Sequence, residues 1–530
     1  MIEILGKSKW LLVAALFAFC VAPTFISYRP YHFAWDDSEY LIRSIAVSRA
    51  FWSGNVHGLV GPMVGIHPPA MTLLGLPWGP LSSWHAASKC FITLAAVISL
   101  LAALCLYLLL RIGVKPFFLG AASVCVLASL GPYPPRPSAY PYPPEASAHW
   151  YATAFLADSL FAWTALAAVL LIPYEARTHC RSIRGAVMRG ILWGSILSLG
   201  VMTKLNFLYF IVLIVPTLFL IRLHHGGLRS ALAAHMAFVY WSAPSAIYLV
   251  RYGGNAFAFA KTASFGRNAE FYYTPLLQFL SDTIRESPGL LLSFVLMVTA
   301  LIYLVVQRRR ILWGTDFLAF LIMIGFGIVV LASHNREIRF AFPAIVALPF
   351  LTGILMSGKG HAVPSRAAAL AAGLVFCGLL AASVPTAHRA TRQILSRADA
   401  ILAQAAQCNA RRIMLATDSP TLNPFLTHLA IEVSASRASV TAETLAYNAM
   451  NGVPIEEDFL TISEQDLVVF QDRDASFSPF SNKRVLDYER YIRRGGHVPI
   501  RVGGDLTVYS IRCTPSPSEA PRPALPEWIK

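Results

Sequence analysis

Long apolar runs separated by short polar stretches dominate the chain from Trp10 to Val384. Most of these runs are close to the length that a helix needs to cross the hydrocarbon core of a bilayer, so the pattern predicts about eleven transmembrane helices. The predicted spans are 10–26, 91–110, a short third span that ends near 130, 151–172, 190–202, 206–221, 231–250, 289–306, 311–331, 340–356 and 367–384.

Basic residues gather in alternate gaps between these spans, as in 177–189 and 308–310. Because cytoplasmic loops carry an excess of Lys and Arg, this bias places the N-terminus and those gaps in the cytoplasm. The first span lacks a small-residue cleavage pattern, so we expect a retained helix rather than a signal peptide. The predicted topology then puts 27–89, the first exterior loop, and everything after 384 on the exterior face.

The hydrophobic pattern changes from about Pro385 to short, strand-length runs, as in 412–416 and 466–470, with helical patterns such as 485–494 between them. A Gly-Gly-Asp sequence at 503–505 predicts a hairpin turn before a further strand. We therefore expect a transmembrane domain over 1–385 and a small exterior α/β domain over 386–513. The proline-rich tail, 514–530, is predicted to be disordered.

Composition supports this class of protein. Hydrophobic residues make up 56% of the chain and charged residues 13%, and the mean hydropathy is +0.56, which excludes an ordinary soluble protein. The net charge of +15 does not indicate nucleic-acid binding, because the basic residues lie mainly in loops between spans. The predicted fold class is an all-α polytopic membrane protein with a C-terminal α/β domain. Cys408 and Cys513 are the two cysteines of that domain, and a disulfide between them is expected in an oxidising compartment.

Three carboxylates, those of Asp36, Asp37 and Glu39, follow the first span within four positions. Ionisable groups at the ends of spans cost several kcal/mol unless they are paired or line a watery cavity, so they usually mark a functional site. The other ionisable residues predicted at exterior span ends are His67, Asp158, Lys204, His334, Arg336, Glu337 and Arg339.

Among these residues, most of the carboxylates lie early in the chain and most of the cations lie late. A carboxylate can deprotonate a hydroxyl group or hold a divalent cation, whereas Lys and Arg can hold a phosphate. No cofactor is indicated with certainty. If a metal such as Mg²⁺ or Mn²⁺ takes part, Asp36 and Asp37 are its candidate ligands. The sequence contains no glycine-rich phosphate loop.

Four motifs occur in order along the chain: Asp36-Asp37 with His67-Pro68-Pro69-Ala70 in the first exterior loop, Asp158 at a span start, Met202-Thr203-Lys204 between spans, and the segment 336–343. Together they resemble the membrane glycosyltransferases with the C-type fold. The similar branch includes lipid A aminoarabinose transferase and rhizobial core-sugar transferases, which are related to protein O-mannosyltransferases. The sequence departs from this family at two points: the acidic pair is Asp-Asp where many members have Asp-Glu, and His67 stands where the aminoarabinose branch has a lysine. The identity of the donor sugar is therefore not carried over from the resemblance.

The resemblance implies inverting sugar transfer from a polyprenyl-phosphate donor to a cell-envelope lipid, glycan or protein, on the exterior face of a bacterial inner membrane. It implies Asp36 or Asp37 as the base. It also implies that the donor phosphate is held by Lys204, Arg336, Arg339 and His67, with Glu39, Asp158 and His334 in supporting positions. A nucleic-acid partner is not expected.

Structural alternatives remain for each residue. Asp36 or Asp37 could cap the following helix, His67 could be a plain loop residue, and Lys204 could snorkel from a helix end. Asp158 could pair with a neighbouring cation, and Arg336 and Arg339 could be structural only. The functional alternatives are a lipid-linked glycan polymerase or ligase, a secondary transporter, and a non-catalytic assembly protein or receptor. A transporter predicts two related halves with polar residues at the midplane, and the sequence shows no such repeat.

Overall fold

The protein forms a helical bundle joined to a small mixed α/β unit, as described by a computed structural model of the 530-residue chain. The structure describes residues 29–31, 35–64, 67–81, 85–130, 157–178, 182–254, 256–258, 261, 275–286, 291, 294–295, 297–299, 301–302, 306, 314–333, 338–357, 372–379, 388–390, 392–416, 422, 424–433, 440–445, 448, 453–471, 479–502 and 505–512.

The helical part begins with a short strand, β1 (Arg29–Tyr31), and continues through ten labelled helices. These are α1 (Trp35–Trp52), α2 (Val56–Met63), α3 (His85–Ile112), α4 (Pro116–Leu130), α5 (Ala157–Arg177), α6 (Ile183–Thr203), α7 (Leu208–Tyr252), α8 (Leu276–Glu286), α9 (Thr315–Ala332) and α10 (Ile338–Ser357), with 3-10 helices at Thr72–Trp78 and Leu205–Phe207.

Six helices in the described part are long and apolar enough to cross a membrane: α3, α5, α6, α7, α9 and α10. They coincide with predicted spans. Helix α7, with 45 residues, covers two of those spans and has one non-helical residue, Gly227, whose φ of 71° breaks the helix between them. Glycine takes this left-handed conformation without steric cost. The full prediction of about eleven spans stays a prediction.

The helices have two distinguishable ends. At one end, which we call the carboxylate end, Lys204 pairs with Asp158, and the Tyr248 hydroxyl donates to the Met63 carbonyl. At the opposite end Arg177 donates to the Ile112 carbonyl and pairs with Asp316. The backbone N–H of Lys115 donates to Ser357 Oγ at that end, at 3.0 Å. These contacts join helix ends that the predicted alternation places on the same side.

Helix α5 lies at the centre of the bundle, and almost all of its residues are buried. It packs against α3, α6, α7, α9 and α10. The fit between α6 and the second half of α7 is especially close, because a Cβ atom on Gly190 would lie 2.0 Å from the Ala234 carbonyl oxygen. The central position of α5 means that any charge near its ends must find a partner on a neighbouring helix.

The C-terminal part contains a five-stranded sheet with the order β4-β3-β5-β7-β6. Strand β3 is parallel to β4 and β5, whereas β7 is antiparallel to β5 and β6. Separate hydrophobic clusters cover its two faces. The elements are β2 (His388–Ala390), α11 (Arg392–Gln407), β3 (Arg412–Leu415), α12 (Pro424–Val433), β4 (Thr441–Thr444), α13 (Ile455–Ser463), β5 (Leu467–Gln471), α14 (Pro479–Arg494), β6 (Pro499–Val502) and β7 (Leu506–Ser510).

The structure confirms the strands predicted at 412–416 and 466–470 and the helix predicted at 485–494. Two residues of the predicted turn before β7, Gly503 and Gly504, lie outside the described residues. Cys408 is disulfide-bonded, as predicted, and its expected partner, Cys513, lies outside the described residues. The predicted tail, 514–530, also lies outside them.

Contacts between described residues dock this unit onto the carboxylate end, and they include the packing of α3 against β2. Strands β1 and β2 pair in parallel, with Arg29 opposite His388. Helix α12 packs on α1, and its Leu429 belongs to the same buried cluster as Tyr40 and Leu41 of α1. The helix that carries the early carboxylates is therefore held from both domains.

Candidate active site at the carboxylate end

Helix α1 is fixed to the segment that follows it in the first loop by bonds from side chains to backbone carbonyls. Ser44 Oγ donates to the Met71 oxygen at 3.0 Å, Arg49 Nε to Leu81 at 2.9 Å, and Trp52 Nε1 to Leu76 at 2.8 Å. Each such bond contributes about 0.5–1.5 kcal/mol. Together these bonds attach α1 to the segment 71–81, which includes the 3-10 helix Thr72–Trp78.

The helix begins at Trp35, so Asp36 and Asp37 lie in its first turn rather than at the residue before it. Carboxylates in a first turn are favoured by the helix dipole. Residues four or seven positions apart lie on nearly the same face of a helix, so Asp36 shares its face with Tyr40 and Arg43. Asp37 instead shares its face with Leu41 and Ser44, the side on which Ser44 bonds to Met71.

Glu39 is a buried carboxylate at the centre of this site, with 8% of its side chain exposed. One turn later on α1, Arg43 forms a salt bridge with it. His67 Nε2 lies 3.7 Å from Glu39 Oε2, and the imidazole ring packs on the Tyr40 ring with centroids 5.1 Å apart. His67 is thus held by the carboxylate and by an aromatic face.

Asp158 and Lys204 form the second charged pair of the site. Asp158 lies in the first turn of α5 and is 2% exposed, and Lys204 Nζ lies 2.5 Å from its Oδ1. The Lys204 ammonium also lies 5.1 Å from the centre of the Phe340 ring, in the first turns of α10. Asp158 therefore pairs with a neighbouring cation, which was one of its two predicted roles.

A backbone hydrogen bond connects the segments that carry the two charged pairs. The N–H of Ala70, three residues after His67, donates to the carbonyl of Met202, two residues before Lys204, at 2.9 Å. This bond joins the loop after α2 to the end of α6. Four of the predicted residues, Glu39, His67, Asp158 and Lys204, therefore converge on one end of the bundle.

The remaining predicted residues are described less fully. Asp36, Asp37 and Arg339 have defined helix positions, with Arg339 next to Phe340, but their side chains lie outside the described set. His334, Arg336 and Glu337 lie outside the described residues altogether. Their predicted roles stay predictions.

Arg43 is a site residue that the sequence analysis missed. The available signal was its spacing, four residues after Glu39, because such a pair on a helix favours a salt bridge. Among the described side chains, no group of three His, Cys, Asp or Glu residues is placed to hold a metal ion. That set does not include the side chains of Asp36 and Asp37, so the metal prediction is not tested.

A cavity of about 340 Å³ lies elsewhere, in the C-terminal domain. Its wall includes Phe470, Glu489, Arg493, Arg501 and Thr507. Glu489 is already bonded to Arg493 and to the Tyr509 hydroxyl. None of the residues predicted for the site lines this cavity, and we assign it no role in the chemistry.

Comparison with known proteins gives a match at the level of fold. No family model and no curated protein matches the chain. Its fold is similar to that of ArnT from Cupriavidus metallidurans in two crystal structures, one bound to undecaprenyl phosphate and one in the apo state. Both have a TM-score of 0.50 and 13% sequence identity, and they cover 95% and 96% of this chain and 98% of theirs. The chain therefore has a fold similar to that of ArnT.

Proposed function

We propose that the protein transfers a sugar from a polyprenyl-phosphate-linked donor to a cell-envelope acceptor at the carboxylate end of the bundle. The observation that carries the proposal is the convergence of carboxylates and cations at one end of a fold similar to that of ArnT. One of the ArnT structures is bound to undecaprenyl phosphate, a lipid of the proposed leaving-group class. The donor sugar and the acceptor are not specified by these observations.

In the proposed reaction, an aspartate of α1 takes the proton of the acceptor hydroxyl as that oxygen attacks the anomeric carbon. The bond from that carbon to the phosphate oxygen breaks, and the polyprenyl phosphate leaves with the bonding electrons. Attack from the side opposite to the phosphate inverts the anomeric carbon. Asp36 is the better candidate for the base, because its position on α1 shares a face with Arg43. The position of Asp37 shares a face with Ser44, which bonds to Met71 of the first exterior loop.

The cations suit the leaving phosphate. Lys204 has three N–H donors, and its bond to Asp158 uses one of them. Arg339 precedes Phe340, whose ring lies 5.1 Å from the Lys204 ammonium, so its backbone places it beside the same end. With His67, these residues can compensate the negative charge that develops on the phosphate. Arg336 and His334 are proposed for the same region from the sequence alone.

The C-terminal domain is proposed to support acceptor binding. Its helix α12 packs on α1, so the domain lies beside the helix that carries the proposed base. A polymerase or ligase that uses a lipid-linked glycan would employ the same groups and is the enzymatic alternative.

The test is transfer of radiolabelled sugar from polyprenyl-phosphate donors to cell-envelope acceptors in membranes. Wild type is compared with Asp36→Asn, Asp37→Asn and Arg339→Ala at equal membrane levels. Asp487→Asn, at a 45% exposed carboxylate on α14, is the matched control. Loss of a general base should lower the rate by about a hundredfold or more, and the control should transfer normally. Absence of transfer by the wild type with every donor, together with unchanged envelope glycans in a deletion strain, would reject the proposal.

A further inference from the structure

The cavity of the C-terminal domain lies between helix α14 and the three strands at one side of the sheet, β5, β7 and β6. Its volume, about 340 Å³, is within the range of about 300–1,000 Å³ that is typical of small-ligand sites. The helix contributes Val485, Glu489 and Arg493 to the wall. These residues are spaced four apart, so they lie on one side of α14 and present one apolar and two charged side chains to the cavity.

The strands contribute a row of three side chains that crosses the sheet. Phe470 of β5 is paired with Thr507 of β7, and Thr507 is paired with Arg501 of β6. Side chains of directly paired residues lie on the same face of a sheet. Arg501 Nη1 donates to Thr507 Oγ1 at 3.0 Å, which orients the guanidinium along the row. An aromatic ring, a hydroxyl group and a cation therefore face α14 across the cavity.

A hydrogen-bond network holds the two charged groups of the helix wall. Arg493 donates from Nη2 to Glu489 Oε1 at 2.8 Å and from Nε to the Tyr509 hydroxyl at 3.1 Å. The Tyr509 hydroxyl donates to the same Oε1 at 2.9 Å, and Tyr509 itself is fully buried. These bonds use two of the five N–H donors of the guanidinium and one of the two carboxylate oxygens.

The groups that these bonds leave over are accessible, because Arg493 keeps 60% and Glu489 keeps 26% of the side chain exposed. The helix wall therefore offers both hydrogen-bond donors and an acceptor oxygen to a ligand. Side chains that are already fixed by a network lose little conformational freedom when a ligand binds, which favours binding.

The presence of a carboxylate beside guanidinium groups selects the chemical class of the ligand. A phosphate ion only accepts hydrogen bonds and is repelled by Glu489, whereas an ammonium ion only donates and is repelled by Arg493 and Arg501. A hydroxyl group both donates and accepts, so neighbouring hydroxyls of a sugar can accept from an arginine and donate to the carboxylate. The C–H groups of the sugar ring can pack on the apolar part of the wall, Phe470 and Val485.

We propose that this cavity is a saccharide-binding site that holds a part of the acceptor away from the reacting hydroxyl. That the saccharide belongs to the acceptor rests on the proposed function. The cavity lies on the face of the sheet covered by α14, whose Val485 belongs to the hydrophobic cluster of that face. Helix α12, which packs on α1, contacts the cluster of the other face through Ile431. The sheet therefore separates the cavity from α1, so the bound sugar is not the reacting unit.

The direct test is saturation-transfer NMR of the purified full-length protein in a detergent without a sugar head group. The probes are the methyl glycosides of glucose, galactose and mannose, and inorganic phosphate. The variants are Arg493→Ala, Glu489→Gln and, as matched control, Arg490→Ala, which removes a 67% exposed arginine from the same helix that does not line the cavity. We expect at least one glycoside to bind, with an affinity that falls about tenfold or more in Arg493→Ala and Glu489→Gln and is unchanged in Arg490→Ala.

Glu489→Gln distinguishes a saccharide site from an anion site. It keeps the size of the side chain and removes its negative charge, so phosphate would bind more tightly while a glycoside binds more weakly. Three results would each overturn the inference: phosphate binding that this substitution strengthens without any glycoside binding, absence of binding for all three glycosides, and glycoside binding that both cavity variants leave unchanged.

The transfer assay separates this inference from the proposed function. Arg493→Ala should raise the acceptor KM about tenfold and leave kcat and the donor KM within about twofold of wild type, because the interaction is the same before and during the reaction. Glycoside binding that is lost in the cavity variants, without sugar transfer by the wild type, would uphold the site and reject the proposed function. Transfer with an unchanged acceptor KM in both cavity variants would overturn the inference and leave the proposed function in place.

Discussion

Replacing Glu175 by glutamine should destabilise the helical bundle strongly, because this carboxylate is the shared negative partner of two arginines. Its Oε2 lies 2.8 Å from Arg189 Nη1 and its Oε1 lies 2.9 Å from Arg222 Nη1. The exposed side-chain fractions are 1% for Glu175, 2% for Arg222 and 12% for Arg189. The three residues connect α5, α6 and α7 at the opposite end of the bundle from the candidate site.

The size of the effect follows from the charge that each substitution leaves behind. Removing one partner of a buried ion pair costs about 3–5 kcal/mol, since the other charge stays buried without compensation. Glu175→Gln leaves two such cations, so we expect a loss of at least about 3 kcal/mol. Arg189→Gln leaves one anion paired with one cation, and its loss should be closer to about 1 kcal/mol, the value of an ordinary hydrogen bond.

The assay is reversible unfolding of the purified protein in mixed micelles, followed by tryptophan fluorescence. Glu443→Gln, at an exposed carboxylate of the C-terminal domain, is the control and should change stability by less than about 0.5 kcal/mol. Equal losses for Glu175→Gln and Arg189→Gln would refute the charge argument. A stable Glu175→Gln protein would show that the arginines find other partners.

Three further substitutions test packing and titration. Gly190→Ala should cost about 1–3 kcal/mol by forcing α6 from the Ala234 carbonyl. Gly120→Ala, whose Cβ would lie 3.8 Å from Ala372, should instead be neutral or stabilise the helix by up to about 1 kcal/mol, and equal thermal-denaturation midpoints of the two variants would contradict this. Leu429→Ala should cost about 2–5 kcal/mol at the contact of α12 with α1 and reduce sugar transfer; unimpaired transfer at equal protein levels would argue against a supporting role for the C-terminal domain. Burial raises the pKa of Asp399 to about 6, so ionisation of this carboxyl group lowers the free energy of unfolding as the pH rises from about 4 to about 6. Asp399→Asn should therefore stabilise the protein by about 1 kcal/mol near pH 7.5, after allowance for solvent screening, and have no effect near pH 4. A gain of equal size at both pH values would exclude this titration.

The spans and strands were predictable because each depends on a local hydrophobic pattern. The apolar runs at 91–110 and 151–172 become α3 and α5, and the short run at 466–470 becomes β5. The docking of α12 on α1 was not predictable, since it joins residues almost four hundred positions apart through a few apolar side chains. The same holds for the pairing of β1 with β2.

The candidate site was predictable as a set of residues but not as a set of pairs. The sequence placed Glu39, His67, Asp158 and Lys204 at matching span ends, and the structure brings them together. The spacing of four residues was a signal for the pair of Glu39 with Arg43. The sequence could not indicate that Glu39 approaches His67, because that approach depends on the loop path fixed by the bond between Ala70 and Met202. In the same way, Arg189 belongs to the predicted basic gap 177–189 and Arg222 follows the predicted span 206–221, and their common partner, Glu175, was not foreseen.

The two ends of α5 each carry a buried carboxylate, and the helix dipole affects the two carboxylates in opposite ways. Asp158 lies in the first turn, where the positive end of the helix dipole favours a carboxylate, and Glu175 lies near the last turn, where the dipole opposes one. One lysine, with 17% of its side chain exposed, is enough to balance Asp158, whereas Glu175 binds two arginines, one of them almost fully buried. A partly exposed ammonium with further N–H donors can still bind an incoming phosphate, and a buried arginine held by a carboxylate cannot. The central helix therefore carries a fixed charge cluster at one end and an accessible cation at the other, and the accessible cation lies where the proposed donor binds.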